Sequence, residues 1–171
     1  MLPLREATAN RHKEAEQMPF NIQMFKGELT EEQYLTYLNQ QLAIFKTIEN
    51  KGLPSLALAR ASNIQEDIDE LVAKGNISDG LVESTKLYTD YLNSLDAETV
   101  LPHVYLNYLA IAYGGQLMKK QVPSAGNMYN FDNKKEAIQS VRAVQKDEWA
   151  EEVNKAYDYI IAIFKDLEPA Q

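Results

Sequence analysis

Two histidines, His12 and His103, are the side chains of this sequence best suited to binding a transition metal. The chain has no cysteine, which excludes thiolate nucleophiles, iron–sulfur clusters, cysteine zinc sites and disulfides. A neutral imidazole is then the usual protein ligand for iron, copper or zinc. Taken alone, His12 between Arg11 and Lys13 is more simply explained as a helix residue that faces water, and His103 after Pro102 as a capping or solvent-facing residue.

The adjacent glycines Gly114 and Gly115 are the second unusual feature. Each costs about 1 kcal/mol relative to alanine inside a helix, and residues 116–120 have the composition to continue one. Two explanations remain open. Either another part of the protein packs closely against these glycines, or the backbone must approach a large flat ligand with which any Cβ would collide.

A heme is a flat ligand of this kind, and its chemical requirements can be stated. It needs an apolar slot, one axial ligand and cations near its propionates. Arginine and lysine are the side chains that bind such carboxylates, and the candidates are Arg5, Arg142 and Lys146. Each of these also fits a solvated protein surface.

The elements that must position these residues are predicted to be helical throughout, because apolar residues recur at helical spacing and no stretch alternates as a strand would. We expect an all-α, single-domain multi-helix bundle over residues 1–171. His12 falls on or beside the inner face of a first helix from Leu4 to Gln17, and the glycines fall in an apolar, central helix from Leu101 to Lys120. The other predicted elements begin with a turn over 19–27 and a helix from a capping box at Thr30 to before Gly52. Further helices are predicted over 54–61, from 63 or 64 to 74, and from 78 or 79 to 96, the last with Leu81 and Leu87 facing inward. Two more helices are predicted from Asp132 to 145 and from Trp149 to Phe164.

Composition limits the partners. The net charge of −8 and the pI near 4.8 argue against binding to nucleic acid, which needs a concentrated basic surface. No apolar run is long enough to span a bilayer and no secretory signal is evident. We therefore expect no membrane association and a cytoplasmic location. A monomer is our expectation for the oligomeric state, although composition does not determine it.

The sequence features described above, in their order along the chain, resemble those of the heme oxygenase family. The resemblance covers nearly the whole chain, with little specific match over 54–95. The matching stretches are Leu4-Arg5-Glu6-Ala7-Thr8 with His12 and Ala15-Glu16, Phe25 to Thr30, His103-Val104-Tyr105 through Tyr108-Leu109 to Gly114-Gly115-Gln116, Tyr129 to Asn133, and the helix from Ala156 to Leu167.

The resemblance implies specific roles for several residues. His12 corresponds to the family's proximal iron ligand, and Gly114 and Gly115 correspond to the flexible wall on the opposite face of the heme. Arg5 and Tyr105 correspond to positions near the propionates, with Arg142 as a looser placement. Heme would be both the substrate and the activator of oxygen, with electrons supplied by a ferredoxin or a reductase.

The chain departs from the family at the distal helix, where the usual pattern is Gly-Asp-Leu-Ser-Gly-Gly. Here Ala110 and Ile111 replace the first glycine and the aspartate. In the family that aspartate holds a water network that protonates the activated oxygen species, which isoleucine cannot do. Asn107 and Tyr108, one turn earlier, are our candidate catalytic residues because helical spacing would let them organise water instead. The chain is also short for the family, and Ala9 fills one basic position of the first helix.

Two functions follow as alternatives. The first is an active heme oxygenase that produces biliverdin, carbon monoxide and ferrous iron. The second is a non-catalytic heme-binding or sensing protein of the same fold, which the loss of the aspartate favours. Relatives with thiamin-degrading or di-iron chemistry are disfavoured, because the chain has no cysteine and only two histidines.

Overall fold

A computed structural model describes residues 1–169 and confirms the predicted all-helical class, with no strand in that range. The helices are α1 (Leu4–Ala7), α2 (Ala9–Glu16), α3 (Pro19–Phe25), α4 (Glu31–Glu49), α5 (Ala61–Ala73), α6 (Glu83–Asn93), α7 (Leu101–Gln121), α8 (Lys134–Val144) and α9 (Ala150–Leu167). Short 3-10 turns lie at Leu56–Leu58, Asn127–Tyr129 and Asp147–Trp149. Over these residues, no helix combines the length and apolar character that crossing a bilayer requires.

The N-terminal region differs from the prediction in two places. The first helix is interrupted at Thr8, whose hydroxyl donates to the carbonyl of Leu4 at 2.9 Å and whose φ is −111°. The predicted turn over 19–27 is wrong, because α3 occupies most of it. Pro19 stands at the start of α3, where its fixed φ favours a helix, and Phe20 and Met24 are buried.

Two further helices are shorter than predicted. In place of the helix predicted over 54–61, residues 54–60 form only the 3-10 turn at Leu56–Leu58, and Ala61 begins α5. Helix α6 starts at Glu83 instead of 78 or 79, since Gly80 has φ +87°, in the left-handed region. Leu81 and Leu87 are exposed, so the inward placement of both side chains was wrong.

Helix α4 begins at the predicted capping box. The Thr30 hydroxyl accepts from the Gln33 backbone amide at 3.1 Å, and the Gln33 side chain accepts from the Thr30 amide at 2.8 Å. The helix packs against α5 and α6 and is buried around most of its circumference, with Tyr34, Leu38 and Phe45 in the core. It supplies much of the core against which the other elements pack.

Helix α9 connects the two elements that carry the candidate site, because it packs against both α2 and α7, as well as α3 and α6. A small cluster of Leu4, Leu106, Val153 and Ala156 joins α1, α7 and α9. The Leu4 amide also donates to Asp147 Oδ1 at 2.9 Å. Burying a leucine side chain stabilises the fold by about 1.5–3 kcal/mol, so this cluster holds the N-terminal helices in place.

The segment between α7 and α8 is held by two buried charged side chains. Asp67 accepts from the amides of Asn127 and Met128 at 3.0 and 2.8 Å, and Arg60 donates to the carbonyl of Met128 at 3.0 Å. These bonds place Tyr129 against α7. Helix α8 then begins with Asn133, whose side chain accepts from the Glu136 amide, and not with the predicted Asp132 cap.

Candidate functional site

His12 lies on the solvent-facing side of α2, with 55% of its side chain exposed, so the predicted placement on or beside the inner face of the first helix was wrong. Its ring stacks on Tyr157 of α9, with centroids 5.9 Å apart and an interplanar angle of 28°. This contact orients the imidazole without burying it. An exposed and oriented imidazole is available to bind a metal from outside the helix.

Glu16, which the sequence analysis gave no role, holds the His12 ring. Its Oε1 lies 2.7 Å from His12 Nε2. A carboxylate bonded to one imidazole nitrogen orients the ring and raises the basicity of the nitrogen that binds the metal. Glu16 occupies Nε2, so Nδ1 is the ring nitrogen available to a metal in this arrangement. The i,i+4 spacing of the pair was the signal in the sequence.

Helix α7 presents an exposed stripe of small and apolar residues: Ala110, Tyr113, Gly114 and Leu117. Their spacing of three and four residues places them on one face of the helix. Tyr113 is 60% and Leu117 is 49% exposed. The stripe contains no ionisable carboxylate, and its apolar surface suits the face of a flat, apolar ligand.

The two glycines in α7 have different surroundings. A Cβ added at Gly115 would lie 3.3 Å from the Tyr129 Cβ and Cδ1 atoms, whereas a Cβ at Gly114 would meet nothing within 4 Å. Protein packing therefore explains Gly115 and leaves Gly114 unexplained. The helix runs through both positions without interruption, so Gly114 leaves an open place where a ligand can approach the backbone.

Helices α2 and α7 share two neighbouring helices. Both pack against α3 and α9, and within residues 1–169 they do not form a packed pair with each other. Helix α3 also exposes Ile22 and Phe25. Helix α3 thus links the helix that carries His12 to the helix that carries the stripe, and it has apolar side chains on its exposed face.

The basic candidates lie in different places. Arg142 on α8 reaches α7, where its Nη2 donates to the Tyr113 hydroxyl at 3.1 Å and its guanidinium lies 5.5 Å from the Tyr113 ring centroid. Arg5 is exposed on α1, and Lys146 is exposed just after α8. Of the three candidates, Arg142 is therefore the one that the structure places beside the stripe, through a contact with Tyr113 that the sequence did not reveal.

The other site residues predicted on α7 point in different directions. Tyr105 is half-buried and packs edge-on against Trp149, with centroids 6.5 Å apart. Asn107 is 5% exposed and donates to the Tyr88 hydroxyl at 3.1 Å. Tyr108 is fully buried and donates to Glu49 at 2.9 Å, and burial raises its pKa strongly. Of the two candidate catalytic residues, only Asn107 lies near the face of the stripe.

Ile111 is buried in the main hydrophobic core. At about 100° per residue, its side chain lies a quarter turn away from Ala110. The position that carries an aspartate in the family that the sequence resembles is here part of the packing between helices. The exposed stripe therefore has no replacement for that carboxylate.

His103 is fully buried, so the solvent-facing interpretation of this residue was wrong. Its Nδ1 lies 2.7 Å from the Tyr88 hydroxyl, and its Nε2 lies 2.9 Å from Glu152 Oε1. Burial lowers the His103 pKa, and Glu152 partly opposes that effect. Of the two histidines, only His12 is open to a ligand from solvent.

The described residues contain no group of three or more His, Cys, Asp or Glu side chains able to hold a metal ion. A single axial imidazole is a ligand set that fits an iron already coordinated by a porphyrin. The donor set and the open position at Gly114 thus agree with a heme.

Comparison with known proteins gives a consistent match. The family model described as heme oxygenase matches residues 2–166. The chain is 25% identical to heme oxygenase 2 of Macaca fascicularis, covering 98% of this chain and 65% of the relative. It is 27% identical to heme oxygenase of Pyropia yezoensis, covering 78% and 66%. The chain thus spans just under two thirds of the length of these relatives.

Solved structures share the fold. Heme oxygenase-1 from Synechocystis in complex with heme has a TM-score of 0.81 and 20% identity, covering 96% of this chain and 90% of that one. Heme oxygenase from Leptospira interrogans has a TM-score of 0.78 and 21% identity, covering 94% and 96%. The helical arrangement described above is the one these proteins adopt.

Proposed function

The chain belongs to the heme oxygenase family, and we propose that it binds heme and cleaves it to biliverdin, carbon monoxide and ferrous iron. The observation that carries the proposal is Gly114, an exposed glycine in the middle of a long helix where no protein contact requires one. A glycine that costs helix stability is retained most simply where a ligand needs the space of the missing Cβ.

Each residue of the site would have a separate role in binding heme. His12 would bind the iron and Glu16 would orient its ring. Gly114 would let the α7 backbone approach the porphyrin face, and Arg142 would bind a propionate after exchanging its contact with Tyr113. Bound heme supplies the activation of oxygen; the protein supplies binding, orientation and exclusion of water.

Other parts of the assignment stay predictions. Arg5, Tyr105 and Gly115 stand as further heme contacts, and Asn107 and Tyr108 as candidate catalytic residues. A ferredoxin or a reductase remains the expected electron donor. The cytoplasmic location, the monomer and the single domain over 1–171 are expectations that follow from the sequence.

A second function, a heme-binding or sensing protein without turnover, is favoured by one observation. The stripe of α7 has no carboxylate, and Ile111 is buried in the core. Without an acid on this face, proton supply to bound oxygen must come from elsewhere in the protein or be absent.

A hemin titration followed by reduction tests both functions. The wild type should develop a Soret band, which ascorbate or reduced ferredoxin under air should then abolish as biliverdin forms. A Soret band that survives reduction supports the binding protein instead. Absence of a Soret band would contradict both.

His12→Ala should raise the hemin Kd by about tenfold or more, as expected on loss of the axial ligand. Asn10→Ala is the matched control, because Asn10 is an exposed polar residue on the same helix. Equal losses in the two variants would mean that His12 is not the ligand.

A further inference from the structure

Three tyrosines and the buried His103 form a cluster of aromatic rings between α6, α7 and α9. Tyr88 and Tyr91 lie on α6, and Tyr159 lies on α9. The Tyr88 ring stacks on Tyr159 with centroids 4.7 Å apart, and Tyr159 stacks on Tyr91 at 5.6 Å. In a chain without cysteine, tyrosine and the single tryptophan are the side chains most easily oxidised by one electron. Rings in contact allow an electron to pass between them.

Tyr88 is the fully buried member of this cluster, and its hydroxyl faces an imidazole. The hydroxyl lies 2.7 Å from His103 Nδ1, and Asn107 donates to the same oxygen at 3.1 Å. The phenolic proton therefore points to Nδ1. On the other side of the imidazole, Nε2 lies 2.9 Å from Glu152 Oε1. Nδ1 is thus the acceptor nitrogen, and Nε2 carries a proton that it donates to the carboxylate.

Burial makes the loss of an electron from Tyr88 depend on the loss of its proton. An oxidised phenol that kept its proton would be an unpaired positive charge in the core, which is costly. Burial also raises the pKa of Tyr88 strongly, so the phenolate does not form beforehand. If the phenolic proton moves to Nδ1 and the Nε2 proton moves to Glu152, His103 stays neutral. The path ends at a carboxylate that is 31% exposed, and no new charge is buried.

Glu152 is ready to accept this proton. Its side chain accepts hydrogen bonds from Tyr91 and His103. Burial raises the pKa of Glu152, but these two hydrogen bonds outweigh burial and leave the pKa below its usual range. Glu152 is therefore a carboxylate at rest, and one proton neutralises it.

The surroundings of the cluster distinguish its three tyrosines. The Lys155 ammonium lies 3.9 Å from the centroid of the Tyr91 ring, and a cation at this distance opposes the removal of an electron from that ring. Tyr159 is half-buried and lines an open surface groove with Leu87 and Lys155. Tyr159 is thus a ring that an oxidant in solvent can reach, and Tyr88 is the ring on which the oxidised state is best stabilised.

We propose that Tyr88 is a one-electron redox site, oxidised through Tyr159 by a strong one-electron oxidant in the surface groove. Because the oxidised ring is buried, it cannot couple with a second phenol. Tyr88 would then hold the oxidising equivalent until a reductant reaches Tyr159. This activity goes beyond the proposed function and does not require heme.

The step balances in electrons and protons. Tyr88 loses one electron through Tyr159, and the oxidant gains it. The O–H bond of Tyr88 breaks as an N–H bond forms at His103 Nδ1, and the Nε2–H bond breaks as an O–H bond forms at Glu152. Tyr88 becomes a neutral radical, His103 changes tautomer and Glu152 becomes neutral. One-electron reduction reverses each of these changes, so that no further step is needed to restore the resting state.

Flash photolysis of the ligand-free protein tests the site. Tris(bipyridine)ruthenium(III), generated by a laser flash with a cobalt(III) ammine as quencher, serves as the oxidant. Transient absorption and EPR then follow the tyrosyl radical. The wild type should give a long-lived radical that couples to an exchangeable proton, since the new Nδ1–H of His103 donates to the radical oxygen. Absence of a long-lived radical in the wild type would overturn the proposal.

Replacement of single tyrosines assigns the radical. Tyr88→Phe retains the ring stacked on Tyr159 and removes the hydroxyl, so the long-lived radical should be lost. Tyr37→Phe is the matched control, because Tyr37 is also buried and stacks on another tyrosine, Tyr34, at 5.9 Å. This variant should keep the wild-type radical. A long-lived radical that persists in Tyr88→Phe, or an equal loss in both variants, would overturn the assignment to Tyr88.

Glu152→Gln tests the proton shift while Tyr88 stays in place. The amide oxygen can still accept from Nε2–H but takes up no proton. Radical formation should therefore be about tenfold slower or more, with a smaller solvent deuterium isotope effect. The same rate and isotope effect as in the wild type would contradict the coupled transfer. Because these measurements use protein without hemin, their failure leaves the proposed function intact, and the hemin titration tests that function separately.

Discussion

At the scale of single residues, Gly114 and Gly115 show that two neighbouring glycines in one helix can be present for different reasons. Gly115 is required by Tyr129, which Asp67 and Arg60 hold in place through the preceding backbone. Gly114 faces open space. The sequence left both explanations open for the pair, and the structure assigns protein packing to one glycine and leaves the ligand explanation to the other.

The glycines can be separated by substitution with alanine. Gly115→Ala should destabilise the fold by about 1 kcal/mol or more, because overpacking against Tyr129 exceeds the gain in helix propensity. Gly114→Ala should leave stability unchanged or raise it by up to about 1 kcal/mol, while weakening hemin binding. Urea denaturation and hemin titration measure the two effects. A Gly114→Ala protein that binds hemin as the wild type does would remove the main support for the slot.

Glu16 gives a second prediction at this scale. Glu16→Gln should weaken hemin binding about 10- to 100-fold, because an amide orients the His12 ring less firmly and withdraws the charge that makes it basic. Glu14→Gln on the same helix is the control, since Glu14 is exposed and makes no side-chain bond to His12. Equal affinities of the two variants would contradict the role of Glu16.

At the scale of elements, the sequence predicted the start of a helix correctly where the hydrogen bonds that cap the helix join residues close together in the chain. The capping box at Thr30 starts α4 as predicted, since its hydrogen bonds join residues three apart. Helix α3 was missed because Pro19 and Asn21 suggested a turn, whereas burial of Phe20 and Met24 favours the helix. The start of α6 was placed too early, because nothing local indicates that Gly80 adopts a left-handed conformation.

Loss of the capping hydroxyl should cost about 1 kcal/mol of unfolding free energy in Thr30→Ala, since the Gln33 amide loses its partner. Thr47→Ala is the matched control in the same helix. The Thr47 hydroxyl bonds to a carbonyl one turn earlier, and alanine has the higher helix propensity, so that stability should not fall. Chemical denaturation measures both, and equal losses would mean that the cap contributes nothing beyond side-chain volume.

At the scale of the whole molecule, burial of His103 links protonation to folding. Its pKa in the folded protein is lowered from 6.5, mainly by burial. The unfolded chain therefore binds a proton that the folded protein does not. The resulting stability is fully present above about pH 6.5 and is lost as the pH falls toward the folded pKa.

The unfolding free energy should accordingly decline with a slope of up to about 1.4 kcal/mol per pH unit as the pH falls below about 6.5. His103→Gln should lower stability overall but flatten this dependence, because glutamine does not titrate. Urea titrations between pH 5 and 7.5 measure the slope. The same slope in the wild type and in His103→Gln would show that other groups cause the dependence.

The sequence by itself determined the helical class and the start of α4, since helical periodicity and capping motifs are encoded by near neighbours. Tertiary structure alone decided that His103 is buried against Tyr88 and Glu152, that Ile111 belongs to the core, and that Arg142 meets Tyr113. These contacts join residues far apart in the chain, and a side chain's burial depends on which other helices pack against it.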